Sequence, residues 1–546
     1  MVFVDSRIFL FKFIFFLLVA ITFSQPRTKY RPFDWLLFKE SGKINSLTEG
    51  FEYLYVATSV GGISRYNLFS NQYDFPITTA QGLASNNVTS VHFDHNTGII
   101  WGSSPGVIQY SYTREGDWRY IDFIDLGLTS NDRVSRMGNS DNYIWARANA
   151  VYVKMDKSSG ILAGIYPMPD EINIKWSSDQ YFIDNNISQI LNDYTIMSGW
   201  MVSGSQFIDN YGRYIDITSG LIGANNDVWI GSSDGTLFHG NKTMEAIYPT
   251  EFGIRGSNIN AFLVDGDNIW VGSKDYNSGR GITRLNVSSF QTDHYDFDIT
   301  VNMSLTAVHS FYSFENELWV GGNGVVLTFD KDENYWRTLG EERGIPNSDL
   351  TSMVGDSNYV WIGCYYGIRQ IDKKRKREEP MGFEYLFYNH PVYDLAINDL
   401  GIWIASRTGI YLYDKNNPQI MNALSIGDSY LDFPVSRVTS IYQDKNIIYF
   451  ATNIGVVTFD LDKKIWDLLI SVAEYRGSIV SDMIVIGKFC FIGTEKGLFR
   501  INMKSHRVRE YNFDFIGSVN VLEHIDKYLW IGSSEGLIRF KWRKDL

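Results

Sequence analysis

Residue types able to carry chemistry are plentiful in this chain of 546 residues, yet none falls into a catalytic spacing. His92, His95, His239, His294, His309, His390, His506 and His524 are scattered, without the paired spacing of a zinc helix or finger. Acid/base work on a glycoside needs two carboxyls about 5 to 9 Å apart in a cleft. Spacing alone selects no such pair from 62 acidic residues. Asp94, Asp265, Asp267, Asp356 and Asp444 stand between strand-like runs, where Asp bonds its own backbone in turns. The run from Asp265 to Asn268 begins like a calcium loop but lacks the remaining ligands. Ser232, Asp234, Gly235 and Thr236 approach a sialidase Asp box, with the glycine one place early and no Trp. No GxSxG elbow or phosphate-cradling glycine loop occurs. The expected catalytic residues, metal ligands and cofactors are therefore none.

Binding chemistry reads differently. Arg147, Arg280, Tyr365, Tyr366 and Arg407 follow a recurrent phrase directly, and His390, Arg437 and Arg476 precede the next run. Arginine and tyrosine can stack on sugar rings and bond hydroxyls or carboxylates. These eight residues are the candidate ligand-binding set. Cys364 and Cys490 are read as small buried side chains, too far apart in the pattern for a disulfide.

The phrase itself is apolar or aromatic, hydrophobic, small, then Ser or Thr, and a glycine hairpin follows. It reads VWIGSSDGTL at Val228, VWIGCYYGI at Val360, IWIASRTGI at Ile402 and LWIGSSEGLI at Leu529. Trp319, Trp361 and Trp403 are spaced 42 residues apart. That period, with alternating apolar runs and no helical periodicity, belongs to propeller blades. The bulky residue predicts packing on one sheet face, and the small one lets the neighbouring sheet come close. From Trp145 to Trp229 is 84 residues, so a degenerate unit is expected around Tyr194 to Ile217. The fold class is all-β: a β-propeller of about twelve four-stranded blades in two propellers. Phe33 to Phe38 resembles an outer strand with no blade before it, and the last blade lacks that strand. The N-terminal strand is expected to complete the last blade, removing an exposed edge.

The expected organisation is a signal peptide at 1–24, a first set of blades at 25–290 and a second at 291–546, the termini sharing one blade. Arg7 and Lys12 flank or interrupt an apolar run ending in Thr22, Phe23 and Ser24, as a cleavable leader would. No later segment is long enough to span a membrane. A net charge of −13 argues against nucleic acid as partner. The run Lys373 to Arg377 reads as a solvated loop on the opposite face.

The units GLASNNVTSVHFDHNTGIIWGSSPGVIQY from Gly82 and GIPNSDLTSMVGDSNYVWIGCYYGIRQID from Gly344 resemble the two-component regulator propeller repeat. That resemblance implies the periplasmic sensor part of such regulators in Gram-negative bacteria, associated with carbohydrate fragments. Similar propellers occur in a surface component of the type IX secretion system. The chain read here has no membrane span or kinase after its last repeat. The favoured reading is an exported, non-enzymatic ligand-binding or protein-interaction module, periplasmic or secreted, with a glycan fragment or an envelope protein as partner. The alternatives are a carbohydrate-active lyase or glycoside hydrolase, or an envelope or secretion-system scaffold.

Overall fold

The computed structural model describes residues 30–178, 191, 194–223, 227–241, 245–274, 281–297, 307–427, 431 and 434–545. The leader at 1–24 lies outside them. Among the described residues the chain forms eleven sheets, antiparallel except where Thr195–Ile196 runs parallel to Ala246–Thr250, and no long helix. In chain order the blades are 1 (44–77), 2 (90–122), 3 (134–166), 4 (214–250), 5 (259–296), 6 (310–339), 7 (350–378), 8 (392–422), 9 (440–471), 10 (480–511) and 11 (519–540). Each is a meander running from an inner to an outer strand.

Blade 11 supplies only three strands of its own, and Trp35–Phe38 is the fourth. Trp35 pairs with Phe540 and Phe38 with Leu537. The Trp35 and Phe540 rings stack with centroids 3.5 Å apart, and Tyr511 and Phe515 meet the indole edge-on. The ends are further tied at buried Asp545, which accepts from the hydroxyls of Tyr30 (2.8 Å) and Tyr511 (2.7 Å) and pairs with Arg509 (3.0 Å). The expected sharing of a blade by the two termini is thus observed.

The expected degenerate unit is not a blade of its own among the described residues. Thr195–Ile196, Met201–Ser203 and Gln206–Ile208 extend blade 4 to seven strands, and Lys175–Trp176 joins the inner edge of blade 3. The reason is local. This stretch contains no apolar–Trp–small–Ser phrase, and Met201 and Val202 are exposed rather than packed between sheets.

The phrase does build the interior. Trp145, Trp229, Trp270, Trp319, Trp361, Trp403 and Trp530 are at most 1% exposed. Burying side chains of this size supplies much of the cohesion between sheets. The small residue lies where the next inner strand arrives. A Cβ on Gly532 of blade 11 would run into Val521 and Ile259, the latter in blade 5, and one on Gly231 of blade 4 into Ser219 and Ile44, the latter in blade 1. The inner strands of blades 5 to 11 contact one another in succession, and blade 11 contacts blade 5, closing a circuit of seven. In the other unit, inner strands contact in the order 4, 1, 2, 3. There the segment after Lys175 crosses from blade 3 to blade 1, Ser178 exchanging backbone and hydroxyl hydrogen bonds with Leu47.

Trp35→Ala should destabilise the protein by ~3–5 kcal/mol, the range for truncating a buried aromatic. Urea unfolding followed by tryptophan fluorescence checks this. An unchanged midpoint would mean that the N-terminal strand adds little to the ring.

Candidate functional site

Seven blades leave a central channel, and its mouth forms a cavity of about 460 Å³. Every blade of the circuit contributes: Asn260 and Lys274 from blade 5, His309 ahead of blade 6, Asp349 and Tyr365 around blade 7, Tyr393 from blade 8, Arg437 ahead of blade 9, Ser481 from blade 10 and Asn520 from blade 11. These residues come from inner strands, blade-joining loops and the hairpins after the phrase. The geometry follows from the meander, which places those loops on one face.

Local hydrogen bonds fix the rim. On one side His309 is held between Asn260 (3.4 Å to Nδ1) and Asn323 (3.1 Å to Nε2), and Asn323 also donates to Asp349. Burial lowers the pKa of His309; Asp349 opposes that shift and Lys274 adds to it. The ring is therefore neutral near pH 7. Next to it, Lys274 donates to Asn520 Oδ1 (3.5 Å), and Asn520 donates to Asn258 (2.9 Å) and the Ile259 carbonyl (2.8 Å). Opposite, the Arg437 amide donates to the Arg407 carbonyl (3.0 Å), with Arg437 at φ 46°. The Arg407 amide in turn donates to the Pro391 carbonyl (3.1 Å), which locks the loops of blades 8 and 9 together. The Arg437 side chain is exposed and makes no hydrogen bond or ion pair among the described residues.

Of the candidate binding residues, Tyr365 and Arg437 line this cavity, Tyr366 follows Tyr365 in its hairpin, Arg407 is hydrogen-bonded through its backbone to Arg437, and His390 precedes the inner strand of blade 8. Tyr365 and Tyr366 are 46% and 47% exposed, and the loop before blade 8 carries two further exposed tyrosines, Tyr385 and Tyr388. Arg476 lies ahead of blade 10, paired with Glu510 at 2.6 Å. Arg147 belongs to blade 3, in the other unit, 6.0 Å from the Tyr152 ring centroid. Arg280 and the longer hairpin at 275–279 lie outside the described residues. Lys274, Asp349, Asn260 and Asn520 were not among the sequence candidates. Asn260 and Asn520 occupy equivalent places just inside the inner strands of blades 5 and 11, a correspondence visible only once the blades are aligned.

Beneath the mouth, two half-buried carboxyls alternate with serines. Asp394 of blade 8 accepts from Ser352 of blade 7 (2.9 Å) and from the Ile441 amide of blade 9 (2.7 Å). Asp482 of blade 10 accepts from Ser440 of blade 9 (3.0 Å) and from the Leu522 amide of blade 11 (2.8 Å). Burial pushes Asp394 up to about 6 and Asp482 up to about 7, Asp394 adding to the shift of Asp482. Both oxygens of each carboxyl are engaged by neighbouring blades, so these groups act as staples between sheets rather than as a free acid and base.

The opposite face carries a second device that the sequence reading passed over. Lysines after the third strand reach back to the preceding blade: Lys157 to Asp94 (3.1 Å), Lys331 to Asp265 (2.6 Å) and Lys415 to Asp356 (3.2 Å). Asp94 and Asp356 also bond their own turns, as expected. The recurrent Asp-Lys pair at 156–157, 330–331, 372–373 and 414–415 was its available signal. The basic run belongs partly to it. Lys373 is buried, sits 3.5 Å from the Phe314 ring centroid and donates to Tyr312 Oη (2.9 Å), and Lys376 pairs with Glu317. Only Lys374, Arg375 and Arg377 match the expected solvated loop.

The sign of the pH effect follows from the raised carboxyls. Folded Asp394 and Asp482 keep protons that the unfolded chain, with Asp at 3.8, has released. Folding therefore takes up protons between about pH 4 and 7, and these two groups cost stability as pH rises through that window. Thermal melts should show Asp394→Asn with Asp482→Asn flattening the fall in Tm between about pH 5 and pH 8. An identical slope in wild type and variant would contradict this.

No protein-family model and no curated protein matches the chain. Among solved structures, it is similar to the extracellular domains of two hybrid two-component systems of B. thetaiotaomicron. With BT3049 the identity is 14%, covering 92% of this chain and 76% of that one, TM-score 0.43. With BT4673 the values are 12%, 91%, 70% and 0.41. It is also similar to PorZ, a surface component of the type-IX secretion system of Porphyromonas gingivalis, at 10% identity, covering 93% and 87%, TM-score 0.36.

Proposed function

We propose that this chain is an exported, non-enzymatic interaction module whose seven-blade ring captures a polar ligand at its channel mouth, a neutral or anionic glycan fragment being the ligand class. The observation that carries the reading is the cavity of about 460 Å³ to which all seven blades contribute. In this reading the chain divides into a four-blade unit at 44–250 and a seven-blade ring at 259–540 completed by Trp35–Phe38. The leader-like segment ending near Ser24 supports export to the periplasm or beyond. Hydroxyl and amide groups of Asn260, Asn520 and Tyr393 suit sugar hydroxyls, while Arg437 and Lys274 suit a carboxylate or sulfate on one ring. Exposed Tyr365 and Tyr366 supply flat apolar faces at the rim.

A second reading, a propeller hydrolase or lyase, draws on Asp394 and Asp482, two raised carboxyls in one channel. Their occupied oxygens weigh against it.

A glycan array with the mature protein tests the binding reading. For the best ligand, Arg437→Ala and Tyr365→Ala should each weaken binding about tenfold, while Asp394→Asn should leave it within about twofold. Failure to bind any glycan, with stoichiometric co-purification of an envelope protein instead, would sink the sugar assignment. Turnover of the ligand abolished by Asp482→Asn would establish the enzyme instead.

A further inference from the structure

In the four-blade unit, blades 1 to 3 and the loops before them line a cavity of about 310 Å³ at the corresponding mouth. Two cations meet there: Lys43, just before the inner strand of blade 1, and Arg133, just before that of blade 3. Like charges facing one cavity are unfavourable unless an anion joins them. Among the described residues Arg133 has one polar partner for its guanidinium, Asn45 Oδ1 at 3.1 Å, and Asn45 is itself buried and anchored to the Val88 carbonyl (2.9 Å). The Lys43 ammonium makes no hydrogen bond or ion pair among the described residues. Its backbone is nevertheless pinned: the Lys43 amide donates to Ser59 Oγ (2.9 Å), and the Ser59 amide donates to the Lys43 carbonyl (2.9 Å).

The acidic groups nearby are already committed. Asp132, on the cavity wall, accepts from the Thr129 amide (2.6 Å) and hydroxyl (2.9 Å) and from Asn149 Nδ2 (2.5 Å). Asp216 of blade 4, the carboxylate whose field reaches Lys43, accepts from Gln206 (2.7 Å). The rest of the wall is uncharged, polar at Asn87, Thr89 and Ser104 and apolar at Pro105, Phe123 and Val134. Lys43 already shows the strain of this arrangement, its pKa lowered by burial and then by Arg133.

We infer that the mouth of the four-blade unit is a second binding site, independent of the seven-blade ring, that takes an oxyanion group between Lys43 and Arg133: a carboxylate or sulfate carried on a small hydroxylated molecule. The oxyanion receives charge-assisted hydrogen bonds from both cations, and the amides and hydroxyls around them contact the remainder of the ligand. The two sites of the chain would then differ in what fixes the ligand. Here it is a cation pair, and at the larger mouth it is a mixed polar rim.

Calorimetric titration of the full mature chain with sodium glucuronate, sodium sulfate and glucose, at ionic strength balanced with sodium chloride, tests this directly. Glucuronate and sulfate are expected to bind saturably and to compete, and glucose to give no heat of binding. Lys43→Met and Arg133→Met should each weaken glucuronate about tenfold or more. Lys43→Arg should largely restore binding, which separates loss of charge from loss of fold. Arg437→Ala, at the other mouth, should leave this affinity unchanged, so its failure and that of the glycan assignment above are distinguishable. Absence of saturable binding, equal binding of glucose and glucuronate, or wild-type affinity in Lys43→Met with Arg133→Met would overturn the inference.

Discussion

The pairing of Trp35–Phe38 with Leu537–Phe540 is the constraint on which the rest of the ring depends. Each junction between blades is held by side-chain packing, isolated staples and single loop hydrogen bonds rather than by a continuous strand ladder. Among the described residues, blade 11 is where a strand ladder joins the two ends of the chain. It converts an open arc into a closed circuit and covers a strand edge that would otherwise invite intermolecular pairing. The cluster at Asp545, reached by Tyr30, Tyr511 and Arg509, shields that seam at its end.

Within the closed circuit three layers of interaction repeat. Tryptophans fill the space between sheets, serine and aspartate staples tie inner strands around the channel, and lysines on the far face reach back one blade. Each layer uses one fixed position in the repeat. Function has to lie where the repeat leaves freedom, in loops whose length and charge differ from blade to blade. The two mouths fit this division of labour: Arg437 and Lys43 point into cavities, whereas lysines such as Lys331 and Lys415 are spent on ion pairs.

The scaffold was legible in the sequence because packing between sheets demands the same residue types every time. The Trp–Ile–Gly–Ser phrase announced the strands, and the orphan Phe33–Phe38 segment announced the shared blade. The stretch between Trp145 and Trp229 shows the limit of counting by period: its length is a double step, but its described strands carry no copy of the phrase and join the sheets of blades 3 and 4. Site residues were only partly legible. Tyr365 and Arg437 emerged from their place after or before the phrase, but Arg147, chosen by the same rule, belongs to the other unit. Lys274 and Asn520 meet across the seam between blades 5 and 11, which are far apart in the chain, so no local pattern could join them. Lys373 looked like one member of a surface charge run, and only the neighbouring blade's Tyr312 and Phe314 reveal why it is buried.

Hydrogen–deuterium exchange read by mass spectrometry tests ring closure most directly. Peptides covering 35–38 and 537–540 should exchange as slowly as those covering the central strand of blade 11 at 528–533, because their amides share one ladder. Fast exchange in both terminal peptides, at the rate of an exposed edge, with slow exchange at 528–533, would contradict the closed ring.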